Sequence, residues 1–337
     1  MVITLTMTFN RKVFYLGNNA TAYKKILLGG ERVAAEHVLA LKKHSIEAYI
    51  VTSASFKTIP FKKEQANADA FISYKRFKQL FDPAYDIAIY PGRYLKDFDQ
   101  LPGKNKLLFS QGAFVTLSAL SNTDDTQAAW SHPELKGIMC VSEGNRALIE
   151  AFKPTCKVIS VPNAVNTPQA PCDDKKLLVV VPDLSRPEKN PFDTKVVMQL
   201  IKRRLAELNP YQNLEFCELK NMPHKTVLAK LAQAKLLLFL GTTEGLPLQI
   251  LEAMAHKVVV IGFKREPMTS LLHPSCSFEI NQLQALSEQA VNVLLEESTF
   301  QQLSQWASSH VEQYSFKNQE TTLVNAITQG FCYEQPA

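Results

Sequence analysis

The chain has 337 residues, 46% of them hydrophobic and 20% charged, and carries a net charge of +5. That length exceeds one ordinary core and fits two domains of roughly 150 residues each, and the composition is globular, which excludes a disordered or fibrous chain. The charge bias is mild and excludes little by itself.

Three further absences narrow the class. No uninterrupted apolar run approaches the ~18–20 residues of a membrane span. The start, MVITLTMTF, lacks the basic region, full apolar core and cleavage site of a secretory signal. The six cysteines (140, 156, 172, 217, 276 and 332) form no Cys-x-x-Cys pair, so metal-ligand spacing is missing and reduced thiols in a cytoplasmic protein are expected.

Positive charge is concentrated in the first 80 residues, at Arg11–Lys12, Lys24–Lys25, Lys42–Lys43, Lys62–Lys63 and Lys75–Arg76 with Lys78. Phe56, Phe61, Phe71, Tyr74, Phe77 and Phe81 are interleaved with it. The plain reading is a lysine-rich solvated surface. The functional one is a face for anionic lipid or an anionic acceptor. No nucleic-acid-binding module surrounds the patch.

In chain order, Lys12 to Gly17 reads as a first strand. Val33, Ala34, His37, Val38 and Leu41 keep a helical period after Gly29–Gly30, a pair that permits close backbone approach. IEAYIVTS (46–53), DIAIYPG (86–92) and KLLFSQG (106–112) are strand-like, the last ending in Ser110-Gln111-Gly112. GIMCV (137–141) is a short strand followed by Ser142, a good N-cap for EGNRALIEAF. The polar stretch TPQAPCDDKK (167–176) marks a domain boundary.

Beyond it, LLVVVPDLS (177–185) is a buried strand, then come Arg186 and Lys189, a helix from about Pro191 to Leu208, a strand in NLEFCEL (213–219) and a helix over 223–234. Leu236 to Leu240 is an unbroken apolar run, broken by Thr242, Thr243 and Gly245, with Pro247 in a first helical turn. Pro247, Ile250, Leu251 and Met254 fall on one helix face, and the next strand is Lys257 to Phe263. Residues 282–296 and 299–313 read as helical. This βα alternation predicts parallel sheets covered on both faces.

Glu244 lies in the turn at the carboxyl end of a strand, and Glu252 follows eight positions later on the helix. Open α/β sheets bind ligands at that edge. A helix amino terminus suits a phosphate, and a carboxylate accepts hydrogen bonds from neighbouring hydroxyls. Each acid alone has a bland alternative, a surface loop or a solvated helix position. In combination the spacing suits a sugar–phosphate ligand.

EGLPLQILEAMA resembles the Glu-x7-Glu motif of the retaining nucleotide-sugar glycosyltransferases of family four (glycosyl transferases group 1). GGERVAAEHVLALKKHSIEAYIVTS resembles that family's first βαβ unit, and GIMCV with Ser142 and its helix resembles a later one. KVISVPNAVN (157–166) resembles its interdomain "IPNGVD" segment. The resemblance implies an α/β protein of GT-B fold: two Rossmann-like domains with a cleft between them and a C-terminal crossover helix. Residues 1–165 would form the acceptor-binding domain, with 315–337 packing back on it, and 166–314 the donor-binding domain.

Carried onto this sequence, the resemblance gives Glu252 the ribose hydroxyls, and Glu244 with the backbone of Gly245, Leu246, Pro247 and Leu248 the sugar and phosphate. Arg186 and Lys189 resemble the family's Arg-x-x-x-x-Lys pair, here with only two residues between them, and would neutralise the departing diphosphate. Gly29 and Gly30 would face the donor phosphates. Gln111 stands where many relatives have a histidine, and His132, in WSHPELKG, is a nearby acceptor-side candidate with a plain loop role as its alternative. Pro247 stands where the family often has a second glycine, and His256-Lys257-Val258 replaces its Gly-x-Pro. The implied activity is retaining transfer of a hexosyl group from a UDP-, GDP- or ADP-linked sugar to a glycan or glycolipid acceptor in cell-surface glycan synthesis. Neither cofactor nor metal is expected, since the only Asp-x-Asp, Asp97–Asp99, lies away from any identified ligand-side strand end. Peripheral contact with the anionic inner face of a membrane and no nucleic-acid partner complete the expectation. The competing reading is a catalytically degenerate GT-B protein that binds a nucleotide sugar or a partner.

Overall fold

A computed structural model of the chain describes residues 9–16, 29–52, 70–118, 129–168, 174–211, 213–266 and 268–333. Lys24, Lys25, Phe56, Phe61, Lys62 and Lys63 of the basic and aromatic set lie outside the described residues. Two compact units divide the chain, one of Met1–Val161 with Gln319–Ala337 and one of Pro162–Asn318.

The first unit is built on seven strands: β1 (Val13–Tyr15), β2 (Ala48–Thr52), β3 (Phe71–Ser73), β4 (Ile87–Pro91), β5 (Asn105–Ser110), β6 (Leu135–Cys140) and β7 (Lys157–Ser160). They form one parallel sheet in the order β3-β2-β1-β4-β5-β6-β7. Helices α1 (Gly29–Lys43), α2 (Tyr74–Leu80), α3 (Ala113–Ser118) and α4 (Glu143–Glu150) intervene. The inner strands β1, β2, β4, β5 and β6 are buried along nearly their whole length, as continuous apolar runs covered on both faces must be, while the edge strands β3 and β7 are only partly buried. Ser142 caps α4 as expected, its side chain accepting from the Asn145 N–H.

Gly29 and Gly30 belong to the first turn of α1 instead of a loop before it. The opening positions of a helix tolerate glycine at little cost, and a Cβ on Gly30 would collide with the Gln111 side chain. Phe77 and Phe81, part of the expected basic-aromatic face, turn inward with ring centroids 5.2 and 5.4 Å from Phe14. Tyr74, Lys75, Arg76 and Lys78 on α2 are exposed. Lys106, the first residue of KLLFSQG, is buried at the amino end of β5, where its ammonium donates to the Phe98 carbonyl at 2.8 Å and pairs with Glu134 at 2.6 Å.

The second unit has five parallel strands, β8 (Lys176–Val181), β9 (Glu215–Glu218), β10 (Ala234–Phe239), β11 (Val259–Phe263) and β12 (Ser277–Phe278), in the order β12-β11-β10-β8-β9. Its helices are α5 (Pro191–Leu208), α6 (His224–Gln233), α7 (Leu248–Ala255), α8 (Leu283–Leu295) and α9 (Glu297–Val311). The core packs Val179, Val181, Leu236, Leu238 and Ile261 of the sheet against Val197 and Ile201 of α5 and Leu286 and Leu294 of α8. Lys175, just before β8, donates to the carbonyls of Leu231 (3.4 Å), Ala232 (2.9 Å) and His256 (2.6 Å), closing the carboxyl ends of α6 and α7 together.

Helix α10 (Phe316–Asn325) is continued by a π-helical turn, Ala326–Gly330. In the first unit, Glu320 binds Lys43 at 2.9 Å and His44 at 2.7 Å at the end of α1. The Phe331 ring lies where a Cβ on Gly137 of β6 would be. Among the described residues no helix is long and apolar enough to cross a membrane.

Two predictions follow from this packing. Lys175→Ala leaves helix carbonyls without their cationic donor, and the second unit should lose about 1–3 kcal/mol, read as a lower urea midpoint. His37 of α1 is fully buried against Tyr15 (3.0 Å), and burial pushes its imidazole down from 6.5 to about 3. The unfolded chain then binds the proton first, so this stabilising contribution is full above pH 6.5 and is lost as the pH falls toward 3. Between pH 6.5 and 5 the loss should approach roughly 2 kcal/mol, and it should vanish in His37→Gln when unfolding is measured at both pH values.

Candidate functional site

From β8 the chain steps outward to β9 and then crosses back over β8 to enter β10. The order reverses between β8 and β10, so the loops that leave their carboxyl ends diverge and open a crevice at that edge. Both loops carry charged residues singled out from the sequence.

After β8 the chain makes one tight turn, Pro187–Lys189, and reverses at Asn190, whose φ of 52° is left-handed. Asparagine tolerates that conformation, and its side-chain amide donates to Asp193 at 2.7 Å in the first turn of α5. The reversal tucks Lys189 inward until only 6% of it is exposed. Its ammonium meets Glu244 Oε1, from the loop after β10, at 2.5 Å, and lies 4.7 Å from the centre of the Phe239 ring. Gly241 permits this approach, since a Cβ there would press on Phe239 and on the Glu188 carbonyl. Arg186, on the same loop, stays exposed and pairs with Glu188 at 2.5 Å. The structure thus joins Lys189 to Glu244 and leaves Arg186 at the rim.

Gly245, Leu246 and Pro247 are buried, and Leu248 is half-buried. The Asn163 amide donates to the Leu246 carbonyl at 2.8 Å and fixes the turn. Pro247 caps α7, its carbonyl accepting from the Ile250 N–H at 3.1 Å. Every residue from Ile250 to Ala255 is buried, so α7 has no solvated face. Glu252 is therefore not a surface acid: it is 5% exposed, and its Oε1 accepts a hydrogen bond from His224 Nε2 at 2.7 Å. His224 is the first residue of α6, directly beyond β9, and brings the Glu252 carboxylate to the same carboxyl edge. No motif singles out His224 in the sequence; its one signal is a Pro-His pair opening a helix after a strand. His256 closes α7, as its position predicts, with Nδ1 2.8 Å from the Glu252 carbonyl, and burial lowers its affinity for a proton.

In the first unit Gln111 follows the carboxyl end of β5, and its amide donates to the Gly30 carbonyl at 2.7 Å. Gln111, Gly29 and Gly30 are thereby brought together. His132 is not: it precedes β6, and in a parallel sheet that is the amino edge, opposite Gln111. There it binds Asp99 at 2.6 Å and lies edge-on to Phe98 at 5.2 Å. Strand direction thus separates His132 from Gln111, which lies at the opposite edge of the sheet. Among the described residues no group of three or more His, Cys, Asp or Glu side chains could hold a metal ion.

No protein-family model matches the chain, and no curated protein matches its sequence significantly. Solved structures do resemble it. The lipopolysaccharide outer core galactosyltransferase WaaB matches with a TM-score of 0.63 at 14% identity, over 95% of this chain and 99% of that one. Sucrose-phosphate synthase from Thermosynechococcus elongatus matches with a TM-score of 0.67 at 11% identity, over 95% and 98%. A variant of S. aureus TarM, in complex with fondaparinux, alpha-GlcNAc-glycerol and UDP, matches with a TM-score of 0.57 at 15% identity, over 76% of this chain. The chain spans 58% of the length of that TarM chain. These likenesses establish the fold: the chain has the GT-B architecture, with two parallel-sheet units of Rossmann-like order.

Removing one member of the Lys189–Glu244 pair should be costly. Glu244→Ala leaves a nearly buried ammonium without its counter-charge, and a loss on the order of 2 kcal/mol is expected by chemical denaturation. Adding Lys189→Met should recover part of it, and a double-mutant cycle measures the coupling.

Proposed function

We propose that the chain is a retaining glycosyltransferase of family four that moves a hexosyl group from a nucleotide sugar to a glycan or lipid-linked acceptor. The observation that carries this reading is the Lys189–Glu244 contact at the order reversal of the second sheet, where a cation and an acid from adjacent strand ends meet beside a helix start. A diphosphate entering there competes for the Lys189 ammonium and frees the Glu244 carboxylate for sugar hydroxyls. Arg186 lies on the same loop and can swing to a second phosphate. The backbone from Gly245 to Leu248 lines the start of α7 and suits the phosphates. Glu252 takes the ribose hydroxyls. The second unit is accordingly the donor-binding domain.

In the proposed reaction the acceptor hydroxyl attacks the anomeric carbon from the face that the diphosphate leaves. The bond to the diphosphate oxygen breaks, the new glycosidic bond forms, and a donor phosphate oxygen takes the acceptor's proton. Lys189 and Arg186 stabilise the charge that develops on the leaving group. No protein base is required, which accords with Gln111 in place of a histidine, since an amide orients a substrate but does not titrate. Gly29 and Gly30 are assigned to the donor phosphates, and Gln111 to the acceptor side. A cytoplasmic setting, peripheral at the membrane's inner face, is supported by Tyr74, Lys75, Arg76 and Lys78 exposed on one short helix. The reaction as proposed uses no metal and no cofactor.

A second reading has one observation in its favour. The Gln111 amide is committed to Gly30, as it would be in a member that binds a nucleotide sugar without turnover.

Thermal unfolding with UDP, GDP and ADP tests the donor site. One nucleotide should stabilise the wild type, by about 2.7 kcal/mol at a hundred times its Kd, and this should be lost in Glu252→Ala. Silence toward all three at millimolar concentration overturns the reading. Sugar release from the matching donor, with any acceptor, separates the enzyme from the binding module.

A further inference from the structure

We infer that His224 is a positioning residue for Glu252, and that the pair makes this site selective for nucleotides bearing a ribose 2′-hydroxyl. The inference rests on the donor-site reading above. A buried carboxylate is tolerated only when hydrogen-bonded, and the imidazole 2.7 Å from Oε1 supplies one such bond. The two groups differ in their surroundings: the Glu252 side chain is 7% exposed and that of His224 51%. The imidazole is therefore the solvent-facing member of the pair and the carboxylate the buried one.

Their origins matter as much as their distance. His224 comes off β9 and Glu252 follows β10, the strands on either side of β8. One bond thus ties the start of α6 to the middle of α7 across the strand whose loop carries Lys189. Pro223, with φ −57° and ψ 142°, sets the backbone direction from which His224 departs. A carboxylate offers about four lone-pair sites, and the bond from the imidazole to Oε1 constrains the orientation of the group. An oriented carboxylate distinguishes a sugar that offers a hydroxyl from one that lacks it, because the unmatched acceptor is left unpaired in a buried site. A carboxylate that loses this constraint should lose part of that discrimination.

The test uses the full chain and the nucleotide found to stabilise it, titrated calorimetrically beside its 2′-deoxy form. Wild type should prefer the ribo form by about tenfold or more. His224→Ala should weaken the ribo form by about tenfold and leave the deoxy form within twofold, so the preference collapses. His224→Gln, which restores an N–H donor, should recover much of it. In the Glu252→Ala background His224→Ala should add nothing. A purely structural role for His224 predicts instead that both forms weaken together, and that result, or an undiminished preference in His224→Ala, overturns the inference while the donor site stands. Equal wild-type binding of both forms also overturns it. If wild type binds no nucleotide, the donor reading falls and the inference falls with it. Should His224→Ala not fold, His224→Phe keeps the ring without the donor and must lose the preference; if it does not, the inference is wrong.

Discussion

An ammonium group withdrawn from water needs a counter-charge close by, and around Lys189 that demand organises one end of the second unit. The Glu244 carboxylate comes from a loop more than fifty residues further along the chain, and the two can meet only because β8 and β10 are neighbours in the sheet. The left-handed Asn190 turns the chain so that Lys189 points inward, and Gly241 clears the space between the loops. Asn163 then holds the Leu246 carbonyl, so the segment from Glu244 to the start of α7 is anchored at both ends. Loss of the pair would leave a charge in a place that only a bound anion or acid could relieve.

Polar groups withdrawn from water recur at structural joints elsewhere, and their partners say what each one does. Lys175 joins the ends of two helices, Lys106 anchors the amino end of β5, and Asn105 donates to the Ala84 and Tyr85 carbonyls beside it. These groups bond to backbone or to single acids and hold elements together at edges away from the proposed site. Lys189, Glu244, Glu252 and His224 form a different population: side chain to side chain, at the carboxyl edge, from the ends of β8, β9 and β10. Position relative to strand direction separates the two populations better than burial or charge does.

Much of the architecture was legible in the amino acids, for a local reason. Runs such as Leu236 to Leu240 can only be strands covered on both faces, and the interval between such runs and their helices depends on neighbouring residues. The helix from Pro191 to Leu208, the capping by Ser142, and the acid–turn–helix–acid segment from Glu244 to Glu252 were all readable in this way. What periodicity could not supply was depth. Glu252 and Lys106 are chemically surface residues, and the aromatic residues Phe77 and Phe81 fit an exposed face as well as a core one. Their burial is imposed by elements distant in sequence.

Composition and spacing by themselves thus determined the βα alternation, the parallel sheets and the candidate acids and cations, because those follow from short-range patterns of polarity and backbone preference. Tertiary structure alone decided which of those residues meet. Strand order brought Lys189 to Glu244 and His224 to Glu252, and strand direction sent His132 to the edge opposite Gln111. A contact between residues tens of positions apart is set by how the crossovers return the chain to the sheet, and no local pattern encodes that.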